Sequence, residues 1–177
     1  NCINSGLRQI YVLTQYKSDS LNRHIRLGWD FLSPELGEGI EVIPPQQRTV
    51  NRWYIGTADA VYQNIYTLER ERPKYVLILS GDHVYKMNYM DLYAFHAARE
   101  AEVTVCVVKI PKSEAHQFGI VQVDAEHHLI GFEEKPRQDP KTIPGDPDHC
   151  LGSMGVYLFN TEILVRKVLE DAKRHSS

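Results

Sequence analysis

Four places in this 177-residue chain gather residue types that do chemistry rather than pack. In the first, the apolar run Val76-Leu77-Ile78-Leu79 ends abruptly at Gly81-Asp82. A glycine lets the backbone turn sharply, and the carboxylate after it offers hard anionic oxygens of the kind that suit Mg²⁺ carried in by a phosphate substrate. The alternative is that Asp82 merely caps a turn, because aspartate is common in turns. The second place, Gly131 to Pro136, reads GFEEKP. There Lys135 can neutralise a sugar phosphate as a point charge and Glu134 can accept hydrogen bonds from sugar hydroxyls, with Pro136 ending the strand so that both project from its edge. A lone EEK is otherwise a solvated charged turn.

The third place, Trp53 to Val61, reads WYIGTADAV. Gly56 permits close backbone approach, Thr57 and the N–H groups of a first helical turn can hold an anion, and Tyr54 offers a planar face with a hydroxyl. The structural alternative is a hydrophobic staple with Thr57 as an N-cap and Asp59 as an ordinary first-turn acid. In the fourth, Ser153 and Gly155 open a strand in SMGVYLF and can face the same cleft.

These residues need a scaffold that carries strand ends to one edge. Ile10–Thr14 reads as a strand, followed by Ser18 or Ser20 as cap of a helix running to about Trp29, and Glu41–Ile43 is a short strand that Pro44-Pro45 ends. A helix is expected over about Ala58–Arg70, with Val61, Ile65 and Leu68 at helical spacing, and Pro73 stops it. The run Val76–Leu79 shows no alternation, which predicts a strand buried on both faces as in a parallel sheet. Asn88 caps a helix to about Glu100 with Leu92, Phe95 and Ala98 inward, and Val103–Val108 is the next buried strand. This strand–helix alternation predicts an α/β fold with right-handed crossovers. Phe118–Val123 and Leu129–Glu134, split by the polar turn DAEHH, read as an antiparallel hairpin. Lys135 to Cys150 holds four prolines and reads as a long functional or mobile loop. Met154–Asn160 is the last strand, and Thr161 caps a helix through about Leu169.

Composition narrows the function classes. The chain is 42% apolar and 24% charged, as expected of one globular domain. A net charge of −3 and a sequence pI near 6.3 call for neither nucleic acid nor an anionic membrane surface, and no apolar run approaches a membrane span. Three scattered cysteines, Cys2, Cys106 and Cys150, fit a reducing cytoplasm, with Cys106 packing inside the strand-like TVCVV. Eight histidines show no HExxH spacing, and the adjacent pair His127-His128 would point to opposite faces of a strand, which argues against zinc. The opening NCINSGLRQIYVLTQY carries no signal-peptide pattern, and the chain is expected to be a segment of a larger enzyme.

Taken in order, WYIGTADAV, LSGDHVYKMNY, FGIV, FEEKP and SMGVYLFN resemble the nucleotidyltransferase domain of bacterial ADP-glucose pyrophosphorylases (glucose-1-phosphate adenylyltransferases). The resemblance runs over essentially the whole chain and includes NCINSG and VLTQY. It implies a Rossmann-like, GT-A-like nucleotidyltransferase fold with a mixed, mainly parallel sheet flanked by helices. It implies adenylyl transfer from ATP to glucose 1-phosphate, giving ADP-glucose and pyrophosphate for glycogen or starch-like polymer, with Mg²⁺, in a cytoplasmic homotetramer. By matching position, Asp82 corresponds to the family's metal aspartate, Lys135 to its sugar-phosphate lysine and Glu134 to a glucose contact. Tyr54, Gly119 and Ser153 match contacts to glucose 1-phosphate or the sugar nucleotide. Gly56 and Thr57 fall where a nucleotide would lie, Arg70 matches an arginine that binds inhibitor AMP in some members, and Gln46, Gln47 and Arg48 fall in a loop that relays activator binding. The family's glycine-rich phosphate loop has no counterpart in residues 1–177, since Gly37-Glu38-Gly39 lacks a strand-to-helix setting. Its second metal aspartate and C-terminal β-helix have none either, so residues 1–177 alone are expected to be inactive. Rival readings are a transferase for another base and a non-catalytic regulatory subunit of the same fold.

Overall fold

The computed structural model describes residues 1–16, 18–29, 31–44 and 54–175, which form two compact units. The first is made of Asn1–Val76, Tyr85–Ala101 and Asn160–Ser177, and the second of Leu77–Val84 and Glu102–Phe159. No helix among the described residues is long and apolar enough to cross a membrane.

In the first unit, β1 (Gln9–Leu13) and β2 (Gly39–Ile43) pair in parallel, in register from Gln9↔Gly39 to Leu13↔Ile43. Between them runs α1 (Asp19–Gly28), whose N-cap Ser18 makes no side-chain cap bond. Gly37-Glu38-Gly39 leads into a strand, as expected, because Gly37 closes a 3₁₀ turn in the left-handed region (φ 72°). The expected helix over residues 58–70 is instead two helices, α2 (Thr57–Gln63) and α3 (Ile65–Glu71). The break falls at Asn64, which leaves helical geometry (φ −112°, ψ 18°) while its amide donates to the Ala60 carbonyl and the Tyr54 hydroxyl. Asparagine competes with the helix for backbone partners, so it interrupts an apolar period that continues on both sides of it. Thr57 is the first helical residue and Gly56 the N-cap, with no side-chain cap bond, so the expected threonine cap is not made.

In α4 (Tyr89–Ala98) the Asn88 cap is present, its side chain accepting from the Met90 N–H. The inward face is Tyr89, Leu92 and His96, whereas Phe95 and Ala98 are exposed. Helical spacing fits both sets; the Asn160 side chain decides between them by hydrogen-bonding the His96 ring at 3.0 Å, with Tyr75 edge-on to the same ring. The closing helix α5 (Thr161–His175) runs longer than expected. Thr161 starts it by donating its hydroxyl to the Pro73 carbonyl at 2.6 Å, and Leu164 and Val168, four apart, are its buried positions.

The second unit holds a sheet in the order β3–β7–β5–β6, with β4 also on β7. Its strands are β3 (Tyr75–Leu79, of which Leu77 to Leu79 lie in this unit), β4 (Val103–Pro111), β5 (Gly119–Val123), β6 (Leu129–Glu134) and β7 (His149–Asn160). The β5–β6 hairpin is as predicted. β7 begins five residues before the expected Met154, because Cys150, Gly152, Val156 and Leu158 are buried and draw the alternation back to the loop. β3 is half-buried throughout and β4 is so over Val103–Val107, rather than closed over on both faces; a strand partly covered on each face gives the same unalternating run. Antiparallel pairing is also more prominent than the strand–helix alternation implies: β4/β7, β5/β6 and β5/β7 are all antiparallel. One buried cluster among the described residues is Ile110, Ala115, Ile120 and Cys150 with Phe118 against them. All three cysteines are free, and burial raises each thiol above its ordinary pKa, so Cys106 packs as expected.

Candidate active site

Five of the sequence-predicted site residues, Asp82, Gly119, Glu134, Lys135 and Ser153, lie in the second unit, and strand pairing explains their positions. Gly119 faces Glu134 across the hairpin. A Cβ built on Gly119 would stand 2.3 Å from the Phe132 ring and 2.9 Å from Glu134 Oε2, so the missing side chain is what lets ring and carboxylate lie across that strand. Lys135 follows directly. It turns into the left-handed region (φ 46°) immediately before Pro136, a conformation that its side chain and the following ring both disfavour. Its N–H donates to the Phe118 carbonyl at 3.0 Å, which holds the turn, and Pro136 is buried. The ammonium is thereby projected outward, 3.7 Å from Glu134 Oε1, with both side chains more than half exposed. On the other edge of β5, Ile120 pairs with Gly152 of β7, which makes Gly119 and Ser153 next in line on adjacent strands.

Asp82 stands beyond the end of β3, its side chain 84% exposed. The Ser80 hydroxyl donates to its Oδ1, and the His83 ring lies 3.3 Å from the same oxygen. The Ser80 bond, and after it His83, hold the Asp82 carboxyl below the usual carboxylate range. Oδ2 has no hydrogen bond among the described residues. The donor chemistry fits a hard divalent cation: an ionised carboxylate, fixed through one oxygen and open through the other.

The loop after Lys135 is tied down rather than loose. Lys109 meets Asp146 at 2.6 Å, Lys112 meets Asp139 at 3.0 Å, and Asp146 also holds His149. In the hairpin turn, Asp124, Glu126 and His128 bring ligand atoms within 4.8 Å of one another. The turn itself accounts for this closeness: Asp124 accepts from the backbone N–H groups of Glu126 and His128, while His127 takes a left-handed conformation (φ 66°) instead of the extended one assumed for the pair.

The remaining candidates, Tyr54, Gly56, Thr57 and Arg70, lie in the first unit and are held by their neighbours. The Tyr54 hydroxyl accepts from Asn64 at 3.0 Å. Gly56 and Thr57 are exposed at the start of α2, where Asp59 takes the Ile55 N–H at 3.0 Å. Arg70 meets Glu71 at 2.6 Å and Glu41 at 3.4 Å; the Glu71 bond leads in raising its already high pKa. Gln46, Gln47, Arg48 and Trp53 lie outside the described residues.

The family model described as nucleotidyl transferase matches residues 1–177. The chain belongs to the nucleotidyl transferase family. Over its whole length this nucleotidyl transferase chain is 54% identical to the glucose-1-phosphate adenylyltransferase of Shewanella frigidimarina (strain NCIMB 400), covering 42% of that protein. It is 52% identical to the enzyme of that name from Rhodopirellula baltica (strain DSM 10527 / NCIMB 13988 / SH1) and 53% to that from Koribacter versatilis (strain Ellin345), covering 40% and 43% of them. The chain thus spans about two fifths of the length of the curated relatives it matches. Two further residues of this nucleotidyl transferase act on the candidate residues, Ser80 on Asp82 and Asn64 on Tyr54. A hydroxyl two residues before Asp82 and an asparagine inside a helical period were the available signals.

Proposed function

We propose that the full-length protein transfers the adenylyl group of ATP to α-D-glucose 1-phosphate, giving ADP-glucose and pyrophosphate for glycogen or starch-like polymer. What supports this reading is that one unit carries, at strand ends, an exposed carboxylate (Asp82) and an outward ammonium beside a second carboxylate (Lys135 and Glu134), in a chain more than half identical to proteins named for that reaction. A phosphate oxygen of the sugar attacks the α-phosphorus in line. The new O–P bond forms as the bond to the β-phosphate oxygen breaks, and pyrophosphate leaves with the electron pair. Little covalent chemistry falls to the protein, which must align two mutually repelling anions and offset their charge.

In this proposal Lys135 binds the sugar phosphate and Glu134 orients the glucose hydroxyls, with Gly119 and Ser153 beside them and Tyr54 as a further sugar contact. Gly56 and Thr57 lie along the nucleotide, and Arg70 serves an inhibitory effector. Asp82 would hold Mg²⁺, which when bound offsets charge on the phosphate oxygens. The assembly is a cytoplasmic homotetramer. The test is pyrophosphate release by the full-length protein from glucose 1-phosphate with ATP, UTP, dTTP or GTP in turn. Turnover with ATP is expected. Preference for another nucleotide would overturn the adenylyl reading, and release with none of the four would favour the non-catalytic one.

A further inference from the structure

We propose that Ser80 and Gly155 are positioning residues that fix the Asp82 carboxylate for a divalent cation, an inference resting on the reading of Asp82 as the cation ligand. The observation behind it is a bulge. β4 and β7 pair Val105 with Tyr157 and then Val107 with Ser153, so Met154, Gly155 and Val156 stand opposite Cys106 alone. Gly155 occupies this bulge in the left-handed region (φ 65°), and its N–H donates to Ser153 Oγ at 3.2 Å. A bulge re-aims the chain beside it. Here the carbonyl of Gly155 accepts the Ser80 N–H at 2.9 Å, and a Cβ at position 155 would stand 2.9 Å from Ser80 Cβ.

Ser80 is therefore held by its backbone against the bulge, and its hydroxyl in turn holds Asp82 Oδ1. An exposed carboxylate would otherwise sample several rotamers. With Oδ1 engaged, Oδ2 is presented to solvent in one orientation, which is what a ligand awaiting a cation requires. Glycine is needed at 155 twice over: for the positive φ, and because any side chain would press on the residue that holds Asp82.

The experiment measures Mn²⁺ binding to the full-length protein by loss of the free-ion paramagnetic resonance signal, in wild type, Asp82→Asn, Ser80→Ala, Gly155→Ala and the Ser80→Ala/Gly155→Ala double variant. Thermal midpoints without metal are recorded for each. Ser80→Ala is expected to weaken Mn²⁺ by about tenfold, the usual scale for a partner of a metal ligand, with its thermal midpoint near that of wild type. Because Gly155 acts on Asp82 through Ser80, the double variant should bind Mn²⁺ little worse than Gly155→Ala. If Asp82→Asn abolishes binding while Ser80→Ala leaves it unchanged, the positioning role is overturned and the Asp82 reading stands. If Asp82→Asn leaves binding unchanged, both fall. Should Gly155→Ala fail to fold, the Ser80→Ala affinity decides alone, since a hydroxyl that only stabilises a local turn would not move Mn²⁺ affinity.

Discussion

The two units treat their polar residues differently. In the second, the proposed site groups are carried at or just beyond strand ends, and their side chains lie open: Asp82, Glu134 and Lys135 are all more than half exposed. In the first, two of the four candidates make close local bonds: Tyr54 to Asn64, and Arg70 to Glu71 and Glu41. Lys135 keeps only a 3.7 Å contact to Glu134, so little must be broken before its charge meets an anionic ligand. A charge already paired must exchange one partner for another, which suits effector response or packing better than chemistry. The second unit should therefore answer substitution in turnover, and the first in stability.

The hardest test of this contrast is Asp82→Asn in the full-length protein. It keeps the shape and removes the charge, so kcat should fall by about 10²-fold or more with little change in thermal midpoint, the scale of one electrostatic contact to the transition state. Near-normal turnover at saturating Mg²⁺ would make Asp82 a turn residue and dissolve the comparison. Next in size is Lys135→Ala. Losing a charged hydrogen bond to a phosphate costs about 1.5–3 kcal/mol, so the KM for glucose 1-phosphate should rise by about tenfold to a hundredfold, while that for ATP changes much less. Steady-state kinetics in which ATP alone is affected would refute the assignment.

The difference between the units also marks what was legible in the chain. Gly81-Asp82 and GFEEKP announced themselves because strand ends are punctuated by glycine and proline, and the hairpin that presents Lys135 follows from two short runs around a polar turn. What stayed hidden depends on partners distant in sequence. Asn64 breaks a helix whose apolar period is unbroken, and His96 rather than Phe95 turns inward because Asn160, 64 residues away, meets its ring. The early start of β7 has a related cause: His149 and Cys150 look like the end of a proline-rich loop until β4 supplies their pairing. Local punctuation is written in one stretch, whereas pairing is written in two.

For the first unit the sharper variant is Tyr54→Phe. The Tyr54 hydroxyl accepts from Asn64, whose amide keeps its bond to the Ala60 carbonyl, so the change removes one hydrogen bond at a buried asparagine. A loss of about 0.5–1.5 kcal/mol in stability is expected, read from urea unfolding of the full-length protein, with KM for glucose 1-phosphate changed only a few-fold. A kinetic defect rivalling that of Lys135→Ala, without loss of stability, would show that Tyr54 belongs with the open residues of the other unit.

The smallest effect is expected at Asp146, a paired acid of the second unit. Its bond from Lys109, and after that from His149, depresses its carboxyl pKa from the ordinary 3.8 to about 2. A carboxyl whose pKa is lower in the folded than in the unfolded chain stabilises the fold above the unfolded value, and that contribution fades as pH falls from near 3.8 towards 2. Asp146→Asn removes the titration and the ion pair together. The wild-type protein should thus exceed the variant in thermal midpoint by a small margin that is level at about pH 5 to 6 and narrows as the solution is acidified below about pH 4. Added salt should shrink the margin too, because the Lys109 end of the pair is more than half exposed and so screened. A margin that stays flat or widens on acidification would mean that the Lys109–Asp146 pair does not anchor the loop after Lys135, and that the backbone bond from the Lys135 N–H to Phe118 holds that edge of the site without it.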